Sequence, residues 1–159
     1  MLRQTLSCTA VIASLFAATP LCAANVTADL DQIADVLREN GYQAKLEGEG
    51  KDRSIKTGMA GYNFIILPFS CDENGDDCKS VQFYTAFAAD TDPTLEEMNN
   101  YASENRFGRV YLDQDGDPAI EMDIDLEAGG MSEALFMDNQ AYWEAIIVNF
   151  AEFALADRK

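Results

Sequence analysis

The sequence predicts an α+β domain, a mostly antiparallel sheet flanked by helices in the order α-β-β-β-β-α-β-β-α. Three observations predict it. Apolar residues recur at helical spacing in three stretches, residues 27–40, 94–104 and 132–154. Between them lie short apolar or alternating runs bounded by Gly, Asn and Asp. Those runs follow one another through tight turns, which favours antiparallel pairing.

The first helix places Leu30, Ile33, Ala34 and Leu37 on one stripe. Thr27 is the expected cap, Asp29 and Asp31 suit the first turn, and Asn40-Gly41 stops the helix. Short extended pieces follow at residues 42–47 and 53–57. Residues 62–69 read as a stronger strand. Phe64, Ile65, Ile66 and Leu67 make it apolar on both faces, as in a central buried strand. Residues 80–87 alternate, with Val81, Phe83, Thr85 and Phe87 on one face and Gln82 and Tyr84 on the other. These two strands should form a hairpin.

Thr94 and Glu97 have the spacing of a capping box for the second helix, whose expected stripe is Leu95, Met98 and Ala102. Residues 107–112 and 119–126 form a second hairpin, turning at Asp115-Gly116-Asp117-Pro118. Val110, Leu112, Ile120, Met122, Ile124 and Leu126 should face the core. Arg109, Tyr111, Glu121, Asp123 and Asp125 should face outward. Ser132 caps the last helix. Its stripe of Phe136, Trp143, Ile146, Ile147, Phe150 and Ala154 is the most apolar in the chain, with room for a break near Asp138-Asn139.

Residues 1–24 have another character. Arg3 is the only charge before Asp29, residues 6–18 are mostly small and apolar, and Cys22-Ala23-Ala24 resembles a cleavage site. That is the layout of a secretory signal peptide cut after Ala24, which places the chain in the periplasm or outside the cell. One domain, residues 25–159, remains. Of the four cysteines it keeps Cys71 and Cys78, which flank an acidic loop. In an oxidising compartment a disulfide is expected there, for which loop entropy gives roughly 2.5 kcal/mol. A redox pair or metal-binding thiols is the alternative, but the intervening acids would raise a thiolate pKa rather than lower it.

The 159 residues carry 11 bases and 28 acids, a net charge of −17, and no histidine. The leader removes one base and no acid, which leaves −18. Such a surface repels nucleic acid and anionic membranes. Without histidine there is no Ser-His-Asp or Cys-His catalysis and no HExxH zinc site.

The segment Arg106-Phe107-Gly108-Arg109-Val110-Tyr111-Leu112-Asp113, followed by Gly116-Asp117-Pro118 and Glu121-Met122-Asp123, resembles the YbjN family of bacterial sensory transduction regulators. Gly41-Tyr42, Gly61-Tyr62-Asn63-Phe64, the paired cysteines, Ser80 with Gln82-Phe83, and Trp143 add to the likeness. The resemblance implies a fold similar to type III secretion chaperones and a single YbjN-like domain over residues 25–159. It carries over no catalytic residue.

The site expectations follow. Arg106, Phe107, Arg109, Tyr111 and Trp143 are the candidate partner-binding residues. Arg106 and Arg109 are the only cations between Lys79 and Arg158. For Arg109 a cross-strand ion pair with Asp123 or Glu121 is the plainer reading. For Trp143 a place in the core is the plainer reading. Asp113, Asp115 and Asp117 have the spacing of a calcium loop, but Pro118 and Ile124 stand where such a loop needs Gly and Glu. No cofactor, metal or catalytic residue is expected. The predicted function is an exported, non-enzymatic protein-interaction domain, chaperone-like or regulatory, binding an unidentified protein or a second copy of itself. It binds neither nucleic acid nor, after cleavage, a membrane. The alternative is a periplasmic cation or small-molecule binder using the acidic loops.

Overall fold

In the computed structural model, which describes residues 25–88 and 93–157, helix α1 spans Leu30–Glu39. Its cap is Asp29, whose side chain accepts from the Asp31 and Gln32 N–H groups. Thr27 is not the cap: its N–H and hydroxyl both donate to the Gln32 carboxamide. The expected signal peptide, residues 1–24, lies outside the described residues.

Strands β1 (Ala44–Glu47), β2 (Ser54–Met59), β3 (Tyr62–Phe69) and β4 (Ser80–Ala86) follow, then α2 (Leu95–Glu104), β5 (Arg109–Leu112), β6 (Pro118–Asp125) and α3 (Glu133–Ala154). Every pairing is antiparallel, in the order β1-β2-β3-β4-β6-β5. This is the predicted α+β architecture and element order. The outer strands are β1 and β5, because β6 rather than β5 docks on β4.

Strand alternation sends Ile55, Phe64, Ile66, Val81, Phe83, Ile120, Met122 and Ile124 to one face, where they share a single core with all three helices. Phe64 and Phe83 pack on Trp143, and Phe83 also on Phe136. Tyr101 of α2 packs on Phe150 of α3. The other face stays open. Ile65 and Leu67 there are only half-buried, so β3 is covered on one side and not on both, as the sequence run suggested. In α2 the buried residues are Met98 and Tyr101, while Leu95 in the first turn is 68% exposed. The Thr94–Glu97 capping box is present.

Helix α3 is continuous over 22 residues, without a break at Asp138. Its buried stripe includes one polar residue. Gln140 is fully buried, and neither its amide nitrogen nor its oxygen has a hydrogen-bond partner. Both atoms carry an uncompensated desolvation cost. Gln140→Met, which keeps the length and drops both polar atoms, is expected to raise the unfolding free energy by about 1–2 kcal/mol, read by urea denaturation.

Tyr101 supplies a pH signature. Burial pushes its hydroxyl up to about 12. The folded state thus holds this proton more tightly than the unfolded chain, whose tyrosines titrate near ~10. Its stabilising contribution is complete below pH ~10 and is lost as pH rises toward about 12. Unfolding titrations in that window should show a steeper loss for the native chain than for Tyr101→Phe.

The two hairpin loops share one turn. Asp72 Oδ1 accepts from the Asn74 and Asp76 N–H groups, and Asp113 Oδ1 accepts from those of Asp115 and Asp117. In each loop the glycine, Gly75 or Gly116, has φ near +90°, which side chains disfavour. The expected Cys71–Cys78 disulfide closes the first loop. Among the described residues no helix is long and apolar enough to cross a membrane.

Candidate functional site

The connection from α2 to β5 is short and tightly held. The Asn105 N–H and side-chain amide both donate to the Tyr101 carbonyl, and Asn149 of α3 donates to Asn105 Oδ1. Gly108 lies directly against the core: a Cβ there would sit 2.7 Å from Ile120 Cδ1 and 3.3 Å from Ile146 Cγ2. Between these two fixed points Phe107 adopts φ +71°, a left-handed conformation that a bulky residue enters only under strain.

That strain presents an aromatic ring to solvent. Phe107 is 57% exposed and packs against Tyr142 of α3, itself 49% exposed, with ring centroids 5.1 Å apart. The Arg106 guanidinium stands 4.8 Å from the Phe107 ring centroid, a cation–π distance. Beside the rings runs a groove of about 210 Å³, lined by Tyr101, Asn105, Arg106, Gly108, Tyr142 and Ile146 among others. Drug-sized ligands occupy roughly 300 Å³ or more, so this groove suits a single side chain of a partner.

Arg109 and Tyr111 lie elsewhere. Alternation in β5 puts both on the open face of the sheet, with Val110 turned to the core. Arg109 is the cross-strand partner of Glu121 and forms an ion pair with it. The Glu121 carboxylate is buried under this pair, and the Tyr111 hydroxyl donates to its second oxygen at 3.3 Å. Hydrogen bonding and charge from Glu121 raise the Arg109 pKa above its ordinary value. Burial first, then the Glu121 charge, pushes the Tyr111 hydroxyl up to about 12.

The five candidate partner-binding residues therefore separate into three places. Arg106 and Phe107 form the aromatic cluster, Arg109 and Tyr111 the open-face ion-pair site. Trp143 belongs to neither. It is fully buried against Phe64 and Phe83, so no partner reaches it. The exposed ring on α3 is Tyr142, one residue earlier and about 100° around the helix. Sequence reasoning missed it, although an aromatic residue off the apolar stripe was a visible signal.

Asp113, Asp115 and Asp117 are not assembled as ligands. Asp113 Oδ1 is committed to the turn, and no group of three or more carboxylates or cysteines among the described residues converges in a metal-binding arrangement. In the first loop, backbone N–H groups, led by Asp76, hold the Asp72 carboxyl below its usual range.

No curated protein and no solved structure matches the chain. The family model described as "Putative bacterial sensory transduction regulator" matches residues 29–155, from the cap of α1 to the end of α3. With that match running through the whole fold, including the strained Arg106–Leu112 segment, the chain belongs to the YbjN family.

Proposed function

We propose that this chain is an exported, non-enzymatic protein-interaction domain with a chaperone-like or regulatory role, and that it binds its partner through Phe107, Tyr142 and Arg106. The observation that carries this reading is Phe107, a bulky residue held at positive φ so that its ring is exposed. Strain of this kind costs on the order of 1–3 kcal/mol and brings no folding benefit to an exposed ring. Exposed aromatics flanked by arginine are also the side chains that dominate protein interfaces. The family description, a sensory transduction regulator, supports a regulatory role. The leader-like residues 1–24 and the Cys71–Cys78 disulfide support export. The non-enzymatic reading draws on the absence of histidine and on the use of Asp72 and Asp113 as turn-forming acceptors.

The test separates function from folding. Phe107→Gly relieves the strained φ, so its melting temperature should match or exceed that of the native chain. Immobilised residues 25–159 should capture a protein from periplasmic extract, and Phe107→Gly and Tyr142→Ala should lose it. Equal capture by the native chain and both variants would remove the aromatic cluster from the function.

A further inference from the structure

Most bases of this acidic chain are spent inside the fold. Arg38, Lys45, Arg53, Lys56, Lys79 and Arg109 each meet a carboxylate. Among the described residues Arg106 and Lys51 form no ion pair, and of these two Arg106 stands over an aromatic ring. That contact with Phe107 uses no hydrogen-bond acceptor. The N–H donors of the Arg106 guanidinium, set in a planar fork that matches a carboxylate, keep their capacity.

The groove beside Arg106 departs from the rest of the chain in charge. Acids outnumber bases 28 to 11 in the sequence, yet no Asp or Glu among the described residues lines this groove. Gly108, Ile120 and Ile146 give it an apolar part. Asn105 and Asn149 give it a polar one. The Asn149 amide donates to Asn105 Oδ1 at 3.0 Å, and the Asn105 amide donates to the Tyr101 carbonyl at 2.9 Å. The Asn105 acceptor is therefore taken, while each amide nitrogen retains a second hydrogen. An apolar wall that ends at a cation and two amide groups suits a side chain with an apolar neck and an anionic tip.

We propose that this groove takes a glutamate side chain of the partner protein, with its carboxylate on the Arg106 guanidinium and its methylenes against Gly108 and Ile146. This rests on the proposed role of Phe107, Tyr142 and Arg106 as the partner-binding surface. A lysine or arginine in that position meets Arg106 as a like charge, and a glutamine forfeits the charge-assisted bond. The net charge of −17 repels an acidic segment at long range, but at ~0.15 M salt the screening length is about 8 Å and the local pair decides. A nucleic acid or an anionic membrane meets that repulsion over its whole contact, whereas one carboxylate meets it once.

Displayed random peptides, selected on immobilised residues 25–159 at about 0.15 M salt, test this. The informative peptides bind the native chain and not Phe107→Gly. They are expected to share a glutamate beside an apolar or aromatic residue. In a synthetic peptide of that set, replacing the glutamate by glutamine should weaken binding roughly tenfold to a hundredfold, the worth of one charge-assisted pair. Against Arg106→Gln the two peptides should bind equally, because the fork is gone. Arg106 is exposed, so this variant should keep the native melting temperature. Arg106→Lys, which keeps the charge and loses the fork, should lie between. Phe107-dependent peptides with no recurring acid overturn the inference and leave the aromatic site standing. So does a glutamate preference that persists undiminished in Arg106→Gln. A library that yields no Phe107-dependent peptide overturns the site itself, and this inference with it.

Discussion

Trp143→Ala is expected to lower the unfolding free energy by about 3–5 kcal/mol, whereas Tyr142→Ala, one residue away, should change it by less than about 1 kcal/mol. Trp143 is fully buried where β3, β4 and α3 meet, packed on Phe64 and Phe83. Truncation there loses the transfer energy of the indole and opens a cavity that rigid neighbours fill poorly. Tyr142 is half exposed and its main aromatic partner is Phe107, so its loss removes little buried surface. The pair thus distinguishes the core from the proposed interface on one turn of α3. Equilibrium urea unfolding of both variants, beside the capture assay, checks it. A Trp143→Ala cost below that of Tyr142→Ala would contradict the packing described.

Arg109→Met is expected to cost about 2 kcal/mol, below the ~3–5 kcal/mol seen when one partner of a fully buried pair is removed. The asymmetry of the pair sets this intermediate value. The Glu121 side chain is 7% exposed, while that of Arg109 is 65% exposed, so water already screens one end. Without Arg109, Glu121 keeps the Tyr111 hydroxyl at 3.3 Å and the more distant field of its neighbours. The double variant Arg109→Met, Glu121→Met should recover most of the loss, because no buried charge is then stranded. A thermodynamic cycle with both single variants measures the coupling. Additive effects would mean that the pair is an exposed, uncoupled contact.

The helices and strands were readable in the sequence because the packing alternates as the residues do. Leu30, Ile33, Ala34 and Leu37 sit on one helical stripe and are all buried. The β5 and β6 residues assigned outward do lie on the open face. What the pattern could not convey was how far each face is covered. Ile65 and Leu67 continue an apolar run with Phe64 and Ile66, yet among the described residues no helix covers their side of the sheet, and they remain half-buried. Leu95 fits the α2 spacing but belongs to its first turn, beyond the edge of the core. Thr27 lost the capping role because the helix begins at Leu30, which puts Asp29 at the cap position, where its carboxylate accepts from the Asp31 and Gln32 N–H groups; composition alone does not choose between the two. At the site, the stretch from Arg106 to Tyr111 was visible as a motif. Its division between two surfaces depends on strand parity and on the φ of Phe107, and no residue preference encodes a phenylalanine at +71°. Gln140 falls between Phe136 and Trp143 at helical spacing, so its burial was implicit, but its lack of partners was not.

The twin turns are an internal control on the disulfide. Asp113 to Asp117 adopts the same hydrogen-bonded geometry as Asp72 to Asp76 with no cysteine on either side. The chain can therefore close the first hairpin by itself, on the roughly microsecond scale of hairpin formation, long before thiol oxidation over seconds or more. The sulfur atoms are brought together by a loop already in place. On these timescales covalent closure is expected to follow the hairpin, and the reduced chain should reach the same turn before an oxidant arrives.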